Sequence, residues 1–407
     1  MTLQGWASHM RFTRILPFFA LFAIVNAAFY PGLSGLAQEE EGTRPRQASV
    51  RSGILWGLPP IATPLDNPQT PEKVALGRKL YYDPILSIDN TVACATCHDP
   101  ARGFTDGKQF AQGVKKQLAT RNAPTVLNAA FFGDFFWDGR SHSLEKQAED
   151  PVQNPKEMGN TLRGVEKKLN RNAAYRREFE HVFGPGAITF ANVAKALASF
   201  ERTLVSGGSP FDRFHYGGDK GALTPAAQRG LEIFRSKNKG NCSACHGIDN
   251  RYPQFPFPED SGGVGKKKRF VTAAAIPEEE RFALFTDRKF HNTGVGADAQ
   301  GHYQDLGRYL LTHADADKGA FKTPSLRNVA LTAPYMHDGS LKTLKDVIDF
   351  YVRGGNPNPN QDPLIHPLQL TEQERADLLE FLQSLTGEIP PDSGPPQQTQ
   401  SRVRAVR

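Results

Sequence analysis

Cysteine is scarce in this chain. There are four among 407 residues, all inside two short copies of one motif, and none is left over for a structural framework of disulfides. Hydrophobic residues make up only 39%, low for a chain of this length. Strand-like alternation is sparse, which argues against a β-rich fold. The charge excess is small, +6 overall, and Arg11 and Arg14 contribute two of those charges. A mildly basic surface gives no reason to expect a nucleic-acid partner. Long apolar runs are absent apart from the stretch between Ile15 and Tyr30, which Pro17 and Asn26 interrupt. It is short for a membrane span. With Arg11 and Arg14 before it and Gly35-Leu36-Ala37 after it, the segment reads as a cleavable secretory signal over residues 1–37. The expected location is therefore the periplasm.

The two motifs are Cys94-Ala-Thr-Cys97-His98 and Cys242-Ser-Ala-Cys245-His246. Cys-x-x-Cys-His is the attachment pattern of c-type haem. Two thiols add to the two vinyl groups of one porphyrin, and the adjoining imidazole binds the iron. A dithiol redox pair does not need the adjacent His, and a zinc site wants a second ligand pair nearby. Two covalent haem c groups follow. Porphyrin replaces part of the side-chain core, which accounts for the low hydrophobic content. Haem c is attached outside the cytoplasmic membrane, in agreement with export.

The length suggests two domains, and each half carries one motif. Thr70-Pro71 reads as a helix N-cap followed by Pro in the first turn, opening a helix to about Tyr82. Thr224-Pro225 repeats the arrangement before the second motif, and Gly77 and Gly230 fall at nearly the same place in the two copies. The pattern implies a duplicated unit. Thr371 and Glu374 form a capping box that opens a helix through Leu385, ended by Gly387. The expected fold is mainly α, with two cytochrome c-like domains over 52–215 and 216–388. Residues 38–50 are expected to be a flexible lead, 251–284 an exposed insertion, and 389–407 a disordered tail.

Several further segments resemble the bacterial di-haem cytochrome c peroxidase family. They are Arg121-Asn-Ala-Pro-Thr-Val-Leu-Asn128, Phe136-Trp-Asp-Gly-Arg140, Pro151-Val-Gln with Glu157-Met158, Thr323-Pro-Ser-Leu-Arg-Asn-Val329 and Leu331-Thr-Ala-Pro-Tyr-Met-His-Asp-Gly339. They cover roughly residues 60–388 in order. The run from Cys97 to Asp106 is most similar to the MauG-like branch.

The resemblance implies roles for individual residues. Glu157 matches a distal acid/base carboxylate and Gln147 its amide neighbour. Trp137 matches an indole between the two haems. Asn122, with the carbonyls of Thr332 and Pro334, matches a calcium site, and all three are the hard oxygen donors such an ion takes. His98 and His246 would bind the two irons. Where related peroxidases place a Met fourteen residues beyond the His of Tyr335-Met-His-Asp-Gly339, this chain has Tyr351. Met336 is the rival ligand. An oxygen ligand favours oxidised iron and a low potential, the opposite of a thioether. No His or Met lies between His98 and Arg121, so the first haem is expected to be open and to need no reductive activation. The surface Trp associated with the methylamine branch is absent, and Gly240 and Asn241 stand there.

The implied activity is reduction of hydrogen peroxide to water. Electrons would come from a small periplasmic donor, a cytochrome c or a blue-copper protein. The resemblance also implies a homodimer. Two alternatives stand beside this reading: a MauG-like oxidase acting on residues of a protein, and a non-enzymatic di-haem electron carrier.

Overall fold

A computed structural model describes residues 57–248 and 281–396. The expected signal and lead, most of the 251–284 insertion and the chain after 396 lie outside the described residues. The first half comprises α1 (Pro71–Tyr82), α2 (Cys94–Cys97), α3 (Leu144–Gln147), α4 (Glu149–Gln153), α5 (Leu162–Arg171), α6 (Ala173–Phe183) and α7 (Phe190–Glu201). The second comprises α8 (Pro210–His215), α9 (Pro225–Arg235), α10 (Tyr309–Thr312), α11 (Leu344–Val352) and α12 (Glu372–Gln383). Among the described residues, the strands are β1 (Phe290–His291) and β2 (Phe321–Lys322). They are antiparallel, with Phe290 opposite Lys322 and His291 opposite Phe321.

The helix boundaries follow local chemistry. Thr70 caps α1 by accepting from the Lys73 N–H, and Thr224 caps α9 by accepting from the Ala227 N–H. Thr371 and Glu374 form the expected capping box on α12, though that helix ends at Gln383, two residues before Leu385.

The duplication is visible in packing. A β-carbon on Gly77 would lie 1.9 Å from the Ala196 carbonyl oxygen on α7, and one on Gly230 would lie 2.0 Å from that of Asp377 on α12. Each glycine lets two helix backbones touch. Asn128 and Asn328 repeat a second feature: both are left-handed, at φ 62° and 60°, and each starts a 3₁₀ turn. Asn adopts that conformation at less cost than most residues.

Each half has its own apolar core. Leu76, Leu80, Tyr81, Val193, Leu197 and Phe200 pack in the first, and Leu231, Phe234, Ile348, Leu378 and Phe381 in the second. Full burial of one such side chain contributes about 1.5–3 kcal/mol. Phe211 on α8 packs in the second core. The described residues cluster as one compact unit. Arg327 and Asp212 make a buried two-point ion pair at 2.8 and 2.9 Å within it.

Two expectations need correction. Residues 281–284 do not belong to an exposed insertion, because Phe282, Ala283 and Leu284 are fully buried. With Phe285 they form an apolar run that outweighs the polar, Pro/Gly-rich segment before it. The tail is not disordered from 389. Ile389 packs on the first core, Tyr82 donates its hydroxyl to the Ser393 carbonyl, and Arg78 Nε donates to that of Gly394 at 2.6 Å. These contacts satisfy main-chain carbonyls that composition alone could not assign.

Candidate active site

The four cysteines of the two motifs are half-buried. Burial pushes the Cys97 thiol up to about 12, with Asp106 and Glu157 adding to the effect. Cys94 is pushed up further, again chiefly by burial. His98 directs Nδ1 at the Phe104 carbonyl, 3.2 Å away, and His246 directs Nδ1 at the Phe285 carbonyl, 2.8 Å away. That bond fixes each ring and leaves Nε2 for an iron. Burial lowers both imidazole pKa values, which favours the neutral form a metal needs. The donor set at each motif therefore fits a covalent haem.

Beside the first motif lies a cavity of about 830 Å³. Its wall includes Cys94, Cys97, His98, Trp137, Gln147, Met158 and Glu157. Gln147 ends α3, whose N-cap is Ser143. Glu157 lies in the turn after α4, not on a helix, and its main chain is pinned by the Val114 N–H at 2.8 Å. Asn154 Nδ2 donates to Glu157 Oε1 at 2.7 Å, leaving Oε2 for the cavity. Burial raises the carboxyl's pKa against the opposing pull of Asn154 and Arg140. A carboxyl so placed holds its proton more tightly than a free one, as a group that takes and returns a proton needs.

Trp137 lies on the same wall and donates Nε1–H to the Asn122 carbonyl at 2.9 Å. The Asn122 N–H in turn donates to the His337 carbonyl at 2.8 Å. Asn122 Nδ2 goes to the Lys108 carbonyl at 2.9 Å, which directs Oδ1 elsewhere. Arg121 holds both halves together: it reaches Asp305 through two bonds at 2.6 and 2.9 Å and Asp138 at 2.5 Å.

At the second motif, Tyr351 on α11 is half-buried. Its pKa is raised by that burial, then by the Cys245 and Cys242 sulfurs. Met336 sits in the turn closed by the Tyr335–Leu341 bridge, at φ 74°. His291 lies between Asp287 and Asp362, with contacts of 2.9 and 2.6 Å, beside Cys245. Its pKa is raised by Asp287 first, then by Cys245 and Asp362.

Sequence reasoning missed Glu201, Tyr303, Asp305 and the Leu310–Leu311 pair, all on the first cavity's wall. Glu201 closes α7, and burial pushes its carboxyl up to about 8. None of these residues carries a local motif, and the 303–311 segment arrives from the other half of the chain.

A helical fold with two such loops, one beside a large cavity holding a carboxyl and an amide, defines a di-haem c-type redox protein. Comparison with known proteins narrows this. Residues 71–220 match the family model described as di-haem cytochrome c peroxidase, and residues 296–386 match that of cytochrome c. The methylamine utilization protein MauG of Methylorubrum extorquens is 38% identical over 329 residues, covering 81% of this chain and 82% of that protein. Cytochrome c551 peroxidase of Pseudomonas aeruginosa is 33% identical, covering 83% of this chain and 86% of the relative. A crystal structure of a MauG-like protein associated with microbial copper homeostasis superposes with a TM-score of 0.68 at 34% identity, covering 83% of this chain and 96% of that one. The chain belongs to the di-haem cytochrome c peroxidase and MauG family. It is an oxidoreductase of the di-haem peroxidase type, with two cytochrome c domains and two haem c groups.

Proposed function

We propose that this protein reduces hydrogen peroxide to water at the first haem site, using electrons that enter through the second. The observation that carries this reading is the grouping of Glu157, Gln147 and His98 around one cavity. Bound haem iron supplies the redox centre at which the peroxide O–O bond breaks. The chain's own groups do the rest. Glu157 Oε2 takes the proton from one peroxide oxygen and returns it to the other. The Gln147 amide orients the peroxide by hydrogen bonding. Trp137, on the cavity wall and tied to Asn122, links this site to the other half.

We assign Tyr351 as the oxygen ligand of the second iron, in preference to Met336. Its register, fourteen residues beyond His337 where related peroxidases carry the Met ligand, supports that choice. Such a ligand makes the second haem a store of oxidising equivalents rather than of an electron. A calcium ion held by Asn122 Oδ1 and the carbonyls of Thr332 and Pro334 is consistent with an all-oxygen donor set drawn from both halves. The reductant is a small periplasmic cytochrome c or blue-copper protein, reached by export through residues 1–37, and the protein acts as a homodimer. No described helix is long and apolar enough to cross a membrane.

The second reading, oxidation of residues in a partner protein, is favoured by the 38% identity to a MauG protein. Gly240 and Asn241, where that branch has a surface Trp, weigh against it. Stopped-flow mixing with peroxide and reduced cytochrome c separates the two. Multiple turnovers of cytochrome oxidation support the peroxidase. Peroxide bleaching of the haem spectrum with no cytochrome oxidation contradicts it.

A further inference from the structure

Among the described residues, Tyr303 is the only tyrosine on the wall of the first cavity, and its ring is half-buried. The ring is clamped. A β-carbon on Gly319 would lie 2.7 Å from both Cδ1 and Cε1 of Tyr303, at a left-handed φ of 67°. The phenol oxygen faces two carboxamide oxygens, Asn358 Oδ1 at 3.0 Å and Asn360 Oδ1 at 2.9 Å.

Both amides have their orientation fixed elsewhere. Asn360 Nδ2 donates to the Asp315 carbonyl at 2.8 Å, and Asn358 Nδ2 donates to the Asn356 carbonyl at 3.0 Å. The phenol therefore meets two acceptors at these contacts. Hydrogen bonding of O–H to acceptors enriches the ring in electron density and makes its one-electron oxidation easier.

On the same wall, Leu310 and Leu311 of the short helix α10 are 53% and 43% exposed. Two adjoining exposed leucines on that wall offer an apolar surface.

We propose that Tyr303 is a second electron-entry port of the peroxidase, at which small phenolic reductants resting on Leu310 and Leu311 are oxidised one electron at a time. The inference rests on the peroxidase reading. Oxidised by peroxide, the first haem site takes one electron from Tyr303, and the phenol proton passes to water. The resulting phenoxyl takes one electron from the bound phenol and one proton from water, which re-forms the Tyr303 O–H, while the phenol loses its proton to water and leaves as a phenoxyl product. Two such events supply the two electrons that one peroxide takes. The two protons released match the two consumed as peroxide becomes two waters.

The test uses the haem-loaded full chain, with guaiacol as the phenolic probe and reduced cytochrome c as the reference donor. Samples mixed with peroxide and no donor are freeze-quenched for electron paramagnetic resonance. Parallel samples receive a nitroso spin trap and are mapped by peptide mass. A phenoxyl signal with the trap on the Tyr303 peptide is expected, and Tyr303→Phe removes both. In that variant guaiacol oxidation falls about tenfold more than cytochrome oxidation does. Leu311→Gln raises the KM for guaiacol while the radical persists. A radical unchanged in Tyr303→Phe, or guaiacol and cytochrome oxidation falling equally, overturns the port. Failure of peroxide to oxidise either donor overturns the peroxidase reading instead.

Discussion

Trp137 donates its indole N–H to the Asn122 carbonyl at 2.9 Å, and Asn122 passes its own N–H to the His337 carbonyl at 2.8 Å. One cavity-wall indole is thus tied through a single residue to the turn that ends at Gly339. Trp137→Phe keeps an aromatic ring, though a smaller one, and removes both the N–H and the easily oxidised indole. Peroxide should then oxidise the first haem at its usual rate and the second more slowly. Stopped-flow spectra that resolve the two haems check this.

Asn154 holds one oxygen of the Glu157 carboxyl at 2.7 Å, on the wall of the first cavity. Glu157→Gln keeps the shape and removes the proton relay. Peroxide turnover is expected to fall on the order of 10²–10⁴-fold, with both haems still attached. Full turnover in a fully haem-loaded variant contradicts the assignment.

Arg327 serves stability rather than chemistry. Its guanidinium is 2% exposed, pairs with the fully buried Asp212 and donates to the carbonyls of Gly57 and Ala283 at 2.6 Å each. Arg327→Ala leaves the Asp212 charge without its partner, and a cost of about 3–5 kcal/mol is expected in a denaturant titration.

Much of the fold is legible in the sequence because the controlling interactions are local. Thr70-Pro71 and Thr224-Pro225 mark α1 and α9 through caps three residues away, and the haem motifs are contiguous. The carbonyls of Phe104 and Phe285 that fix His98 and His246 are not legible, because any residue supplies a carbonyl. Glu157 is ordinary by composition, and only its matched motif singles it out. Tyr303, Asp305 and the two leucines reach the cavity by packing between halves of the chain, which has no local signature. The same holds for Ile389 and Ser393, which a Pro-rich context disguised as tail.

Glu201 ties stability to pH. Burial raises its folded pKa to about 8, above the usual carboxyl value of 4.5. Between those values the folded protein holds a proton that the unfolded chain has lost, so stability falls as pH rises through that window. Glu201→Gln is expected to flatten this slope and to stabilise the protein at pH 8 relative to the parent. An unchanged slope between pH 5 and pH 8 in equilibrium unfolding sinks the prediction.

The central claim is that the two haem sites are unequal, the first open beside Glu157 and the second closed by Tyr351. Low-temperature electron paramagnetic resonance of the resting, fully oxidised protein tests it most directly. The account predicts one high-spin and one low-spin ferric signal, with the low-spin signal altered in Tyr351→Phe and retained in Met336→Leu. Two low-spin signals, or a low-spin signal that responds only to Met336→Leu, would contradict it.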